Sequence, residues 1–278
     1  MIKIIFKKLC FIFVILLLLY TLLLGVLYTL QHKIIYHPSL KKPEISQLQK
    51  KFKNLKEVSY SLPNGKRVYA WFLKSQKSKK IIVFFHGNTG DLIYNSKNLP
   101  FFEKNGFSVL IPEYEGFGGI KGNLRQAELE QDAKTALLWV LSKGYKPQDI
   151  IIYGHSLGTY VALFGANFMA KEKESVSAVI LEAPFYSLTD MAHHRLGNLI
   201  PVSLLLKDNY PSKELIDQIK TPLFLGHGKK DTVIPYIQGL KLFEKAHHPK
   251  TFFSSDKADH NSLPQNGFID AILPLLKK

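Results

Sequence analysis

The sequence holds one cysteine among 278 residues, Cys10, and it lies inside an apolar run. A single thiol excludes a disulfide within the chain and any metal centre built on cysteines, and it fits reducing and oxidising compartments alike. The ten histidines show no metal-ligand spacing, so neither a metal nor a cofactor is expected. Acidic residues are also scarce: 22 Asp and Glu stand against 37 Lys and Arg, a formal charge of +15. The imbalance is local, because residues 1–53 hold nine Lys against one Glu, about half of the excess. Basic charge gathered around an apolar segment implies attraction to a membrane surface rather than a patch that reads phosphates. No nucleic-acid motif is present, and no nucleic-acid partner is expected. There is no internal repeat and no low-complexity segment beyond lysine-rich linkers.

Hydrophobic residues make up 46% of the chain and charged residues 21%, the balance of a globular protein able to bury a full core. The length suits one sizeable α/β domain with an appendage. That appendage opens the chain. Leu9 to Leu30 carries no charge; as a helix of about 22 residues it would rise about 33 Å, enough to cross a hydrocarbon core of roughly 30 Å. A cleaved signal peptide is the rival reading. Its apolar region would be shorter and would end in a small-x-small site, which Leu27-Tyr28-Thr29-Leu30-Gln31-His32-Lys33 does not offer. Residues 1–30 are therefore expected to be an uncleaved, single-pass membrane anchor. Lysines flank the run on both sides, so the side of the membrane on which the rest of the chain lies stays open. Residues 31–56 read as a juxtamembrane connector, with Ile34-Ile35-Tyr36 a short strand ended by His37-Pro38.

From residue 57 to 278 the pattern is that of a single α/β domain. Val58–Leu62 and Arg67–Leu73 flank Pro63-Asn64-Gly65-Lys66, whose Asn-Gly signals a hairpin. Continuous apolar runs follow at Ile81–Phe85, Phe107–Ile111, Ile150–Tyr153, Ala178–Leu181, Leu223–Leu225 and Thr251–Phe253, as strands buried on both faces would require. Helix-length stretches separate them: Leu124–Lys143, Leu157–Ala170, Tyr236–Ala246 and Phe268–Leu276. Alternation of this kind predicts a mostly parallel sheet covered by helices on both faces, preceded by one transmembrane helix.

The chain is organised around Ile150-Ile151-Ile152-Tyr153-Gly154-His155-Ser156-Leu157-Gly158. A β-branched run ending in Gly-x-Ser-x-Gly before a helix is the form of a nucleophile elbow. Gly154 and Gly158 would let neighbouring backbone pass where a Cβ would clash, and Ser156 would sit at a helix N-terminus that favours developing negative charge. A serine hydroxyl needs a base to take its proton during attack. His260, in Asp259-His260-Asn261, is the candidate base. Asp231, in Gly228-Lys229-Lys230-Asp231-Thr232, is the candidate acid that would orient the imidazole. Glu182, at the end of the Ala178–Leu181 run, competes for that role. The oxyanion formed on attack needs two donors. Leu157 N–H is the first candidate, and a backbone N–H in the Gly87-Asn88 region, Asn88 preferred, is the second. His227 reads as a packing or loop-orienting residue, and His86 and His155 neighbour key groups without filling the base position.

His86-Gly87-Asn88, Gly154-His155-Ser156-Leu157-Gly158, His227-Gly228-Lys229-Lys230-Asp231-Thr232-Val233-Ile234-Pro235 and Asp259-His260 resemble the motifs of the α/β-hydrolase superfamily. More narrowly, the chain from about residue 30 onward resembles a small membrane-anchored subgroup with a serine-aminopeptidase-like domain. That subgroup includes predicted bacterial hydrolases and eukaryotic protein depalmitoylases. The resemblance implies an α/β-hydrolase fold and a Ser-Asp-His triad. One departure lies in Glu113-Tyr114-Glu115-Gly116-Phe117-Gly118-Gly119, where relatives commonly have an Asp-Tyr-Arg-Gly-Tyr-Gly-like segment, so Glu115 replaces an arginine. About residues 185–220 fall where such folds carry a substrate-covering cap. At this length it holds two or three short helices, and Ile200–Leu206 either lines an acyl pocket or packs on the core.

The expected function is that of a membrane-anchored serine hydrolase, carboxylesterase- or thioesterase-like, cleaving esters or thioesters through an acyl-enzyme. Small-molecule, lipid-like or acylated substrates are the expected partners, and a monomer is expected. The alternatives are an amidase or peptidase using the same triad, and a non-catalytic binding module held at the membrane. The catalytic groups all follow residue 85, so the domain is expected to stand without the apolar helix.

Overall fold

The structure, a computed structural model, describes residues 2–277. Its strands are β1 (His37–Pro38), β2 (Leu55–Ser61), β3 (Arg67–Leu73), β4 (Ile81–Phe85), β5 (Thr89–Gly90), β6 (Ser108–Pro112), β7 (Ile150–His155), β8 (Ala178–Glu182), β9 (Leu223–Gly228) and β10 (Lys250–Ser255). Eight of them form one sheet in the order β10-β9-β8-β7-β4-β6-β3-β2. Only β3 runs against the rest, paired antiparallel to β2 and β6. The β2–β3 hairpin closes where the sequence pattern places it, with Gly65 at φ 80°, a left-handed conformation that a Cβ would penalise.

The β-branched runs become central strands because both faces of the sheet are covered. Along β4, Ile81, Val83 and Phe85 enter one core while Ile82 and Phe84 enter the other; along β7, Ile150 and Ile152 separate from Ile151 and Tyr153 in the same way. The first core is roofed by helices Gln126–Ser142, Leu157–Glu172 and Tyr236–Lys245, and the second by Leu99–Lys104 and Phe268–Lys277. Each fully buried side chain of this size contributes roughly 1.5–3 kcal/mol. This is the α/β-hydrolase architecture, with the loops at the carboxyl ends of β4, β7, β9 and β10 gathered at one edge of the sheet.

The N-terminal helix, Ile2–Ile35, is long and apolar enough to cross a membrane, with a mean hydropathy of 3.0 over its best 18-residue window and none of that window buried. It continues beyond residue 30, so Ile34-Ile35 is its last turn rather than a strand. The helix continues through Gln31-His32-Lys33 and stops at Ile35, shortly before Pro38, which lacks an amide hydrogen and could not continue it. The extended element there is β1, which pairs in parallel with β5. Residues 31–56 are also less of a connector than their composition implies: Gln31, Tyr36, Phe52 and Leu55 are all buried against the catalytic domain. The stretch 185–220 carries three short α-helices, Leu188–Leu196, Val202–Leu205 and Ser212–Leu215.

Candidate active site

Ser156 occupies the turn between β7 and helix Leu157–Glu172 with φ 54° and ψ −121°, a conformation that L-residues rarely adopt. The flanking glycines are what permit it. A Cβ on Gly154 would lie 2.2 Å from Gly158 O, and one on Gly158 would lie 2.0 Å from Phe85 O. Ser156 N–H donates to Glu182 O at 2.9 Å, which ties the strained turn to the end of β8. Strain of this kind persists where the surroundings over-determine it, and it projects the hydroxyl out of the sheet edge.

Asp231, carried on the loop after β9, and His260, on the loop after β10, reach the same point. Ser156 Oγ lies 3.0 Å from His260 Nε2, and His260 Nδ1 lies 2.7 Å from Asp231 Oδ2. With Nδ1–H donating to the carboxylate, Nε2 is left to accept from the serine hydroxyl. All three side chains are buried. Asp231 Oδ1 accepts the backbone N–H groups of Val233 and Ile234, each at 2.8 Å. Its Oδ2 is also 3.3 Å from His227 Nε2, which itself donates to Ile234 O at 2.9 Å. Burial alone would push the Asp231 carboxyl up. The bonds to His227 and His260, with the Ile234 amide, overcome that and hold it well below the usual carboxylate range. His227 therefore fastens the Asp231 loop, the loop-orienting part that its place after β9 implies.

Glu182, the rival acid, does not reach His260. It accepts from Tyr153 Oη at 2.5 Å, and its nearer oxygen is 4.0 Å from His155 Nε2. Burial raises its carboxyl to about 7, against the opposing bond from Tyr153. His155 Nε2 donates to His260 O at 3.2 Å; burial and the neighbouring His260 push its ring down to about 3, so it is neutral under ordinary conditions. His86 is buried with Nε2 2.9 Å from Glu113 Oε1, and its carbonyl accepts from Tyr114 Oη at 3.0 Å. These bonds brace the base of the loop after β4.

Leu157 is the first residue of its helix, so its N–H has no intrahelical acceptor. Asn88 N–H makes no backbone hydrogen bond among the described residues. The Asn88 side chain is engaged elsewhere, its amide donating to Ile35 O, and the Asn88 backbone carbonyl accepts from His37 N–H at 2.8 Å. Both Leu157 and Asn88 line a cavity of about 470 Å³ with Ser156 on its wall. The rest of the wall is mostly apolar, with Phe185, Met191, Ile200, Val202 and Leu205 among others beside the polar Gln31, His37, Thr89 and Arg195, so Ile200–Leu206 turns most of its apolar side chains to the pocket.

Glu115, the departure from the usual pattern, faces away from this cavity. It is buried, accepts from Lys66 Nζ and Asn64 Nδ2 of the β2–β3 hairpin and from Asn123 N–H, and its carboxyl is thereby held below the usual range despite burial. The contacts that the sequence conceals are those of the N-terminal helix. Leu24, Leu27, Gln31, His32 and Ile35 are its less exposed positions, and their spacing, mostly of three and four residues, marks one face. Because the helix is apolar all round as far as Leu30, no contrast in hydropathy marks that stripe. Gln31, the first polar residue after the run, is the single visible signal.

A family profile described as serine aminopeptidase, S33, matches residues 76–211. Protein YfhR of Escherichia coli O157:H7, itself uncharacterized, is 30% identical over 215 residues, 73% of this chain and 72% of that protein. Human alpha/beta hydrolase domain-containing protein 17B is 29% identical over 206 residues, 73% of this chain and 68% of that one. Among solved structures, an esterase of Pyrococcus furiosus superposes with a TM-score of 0.68 at 20% identity, covering 87% of this chain and 97% of the other. With the eight-stranded sheet and this breadth of likeness, the chain belongs to the α/β-hydrolase family, in the group with a serine-aminopeptidase-like domain.

Proposed function

We propose that this protein is a membrane-anchored serine hydrolase that cleaves esters or thioesters through an acyl-enzyme. One observation carries the reading: the unbroken line from Asp231 through His260 to Ser156, ending on the wall of an apolar cavity. In the first half-reaction Ser156 Oγ attacks the substrate carbonyl carbon as its proton passes to His260 Nε2. Asp231 stabilises the imidazolium and holds the tautomer. The oxyanion lies against Leu157 N–H and Asn88 N–H, donors already oriented before the charge develops. Collapse expels the alcohol or thiol, which takes the proton from His260, and leaves an acyl group on Ser156. Water then attacks with His260 again as base, releasing the carboxylic acid and restoring the hydroxyl.

The cavity favours an acyl group over a peptide amino terminus. Among the described residues its wall has no Asp or Glu to pair with a substrate ammonium, while aliphatic and aromatic side chains dominate. The N-terminal helix supports attachment to a membrane by its length and hydropathy. Labelling with a fluorophosphonate probe and hydrolysis of p-nitrophenyl esters test the reading together. Ser156→Ala should abolish both while leaving the thermal unfolding midpoint within a few degrees. A wild-type protein that neither labels nor hydrolyses any ester would overturn it.

A further inference from the structure

The N-terminal helix does more than meet the catalytic domain at a linker. Leu27, Gln31, Ile34 and Ile35 line the same cavity as Ser156, opposite the cap side chains Ile200 and Leu205. Gln31 clamps the two together: its Nε2 donates to Leu205 O at 3.1 Å and its Oε1 accepts from Lys207 N–H at 2.9 Å. Further toward the N-terminus, Tyr20 Oη donates to Leu199 O at 2.7 Å. The helix thus lies along the cap from about Tyr20 to Ile35, and its free part is Ile2–Leu19, about 27 Å long at 1.5 Å per residue.

That contact fixes depth. Lys207 Nζ lies 4.4 Å from the Tyr28 ring centroid, a cationic and aromatic pair of the kind found where a helix leaves the hydrocarbon. Tyr20 stands eight residues earlier, about 12 Å deeper along the helix axis. The cap edge beside it carries Leu199 and Leu204, exposed at 86% and 84%, with Leu196 at 45%. In water these leucines would be an apolar liability; next to a membrane-spanning helix they have lipid to meet.

We propose that the last turns of the anchor helix are a wall of the substrate site, and that the site binds the hydrocarbon chain of an acyl group supplied by the bilayer. The proposal rests on the hydrolase and anchor readings above and adds to them that the anchor itself is a substrate-binding element. The chain would lie between Leu27 and Ile34 on the helix and Ile200 and Leu205 on the cap, with its carbonyl at Ser156. Desolvation of the chain is then never required, since it passes from lipid into a wall of the same polarity.

The test uses the full chain in phosphatidylcholine vesicles with p-nitrophenyl acetate and p-nitrophenyl palmitate, following the ratio of kcat/KM for palmitate to that for acetate. Leu27→Trp, which fills the cavity from the helix side, should lower that ratio at least tenfold. Leu27→Ala, which makes no steric demand, should lower it several-fold by removing the wall. Leu22→Trp, exposed on the far side of the same helix from Leu27, should leave it within twofold. Removal of residues 1–30 should collapse the ratio while fluorophosphonate labelling of Ser156 persists. An unchanged ratio in both Leu27 variants and in the truncated chain, with labelling intact, would overturn the proposal and leave the hydrolase standing. Absence of labelling and hydrolysis in the wild type would remove the hydrolase reading and this one with it.

Discussion

The side-chain amide of Asn88 donates to the carbonyl of Ile35, the last residue of the N-terminal helix. A helix end whose carbonyls would otherwise lack partners is thereby capped by the loop that carries a candidate oxyanion donor. Pairing of β1 with β5 reinforces the same junction. The apolar helix and the loop after β4 are thus one mechanical unit, and several consequences can be measured.

Asn88→Ala keeps the backbone N–H and removes the tie. Loss of one oxyanion donor costs about a hundred- to a thousandfold in kcat. A loosened loop that retains its donor should cost less, on the order of tenfold. Steady-state kinetics with a p-nitrophenyl ester decide between the two. A loss of about a hundred- to a thousandfold would mean that the side chain, not the backbone, meets the oxyanion.

Asp231→Asn should lower kcat by roughly a thousand- to ten-thousandfold, because an amide at that position disturbs the tautomer in which Nε2 accepts from Ser156. Glu182→Gln should lower it less than about tenfold, since Glu182 touches Tyr153 and stands 4.0 Å from His155 rather than meeting His260. Equal losses in the two variants would contradict the assignment.

Glu182 also has a pH signature. Its folded-state carboxyl is raised to about 7 from an ordinary 4.5. Between those values the folded protein holds a proton that the unfolded chain has released, so stability should fall as pH rises from 4.5 to 7 and level off above. The upper bound is on the order of 3 kcal/mol. Glu182→Gln removes the titrating group; urea unfolding at pH 5 and pH 8 should show a smaller difference in the variant than in the wild type. Parallel profiles would place the Glu182 titration in the ordinary range.

If the helix spans a bilayer, the full chain stays in the membrane fraction through high salt and alkaline carbonate. About 22 apolar residues insert effectively irreversibly, whereas attraction by lysines alone is screened by salt. Recovery of the intact chain by salt would reduce the helix to a peripheral contact, and a mature protein beginning after residue 25 would identify a cleaved leader.

The sequence was most legible where local chemistry and global fold demand the same residue. Gly154 and Gly158 have no substitute, because a Cβ at either position meets backbone at about 2 Å. The β-branched runs of β4 and β7 could be read as doubly buried strands for a related reason. Each successive side chain enters a different core, so apolar residues are required without interruption. The order of Ser156, Asp231 and His260 along the chain was likewise visible.

Tertiary structure alone shows which of Asp231 and Glu182 lies against His260. Glu182 ends β8 and Asp231 follows β9 of the same sheet, and which carboxylate meets His260 depends on how the loops after β9 and β10 lean, over distances of a few ångströms that spacing does not encode. It also decided the place of the apolar helix. Sequence by itself determined that residues 9–30 form a helix long enough to cross a bilayer, since charge and length are local properties. A helix apolar on every side carries no mark of the face it turns to protein. Only the folded chain brings Leu27 and Gln31 beside Ser156, Leu205 and Lys207.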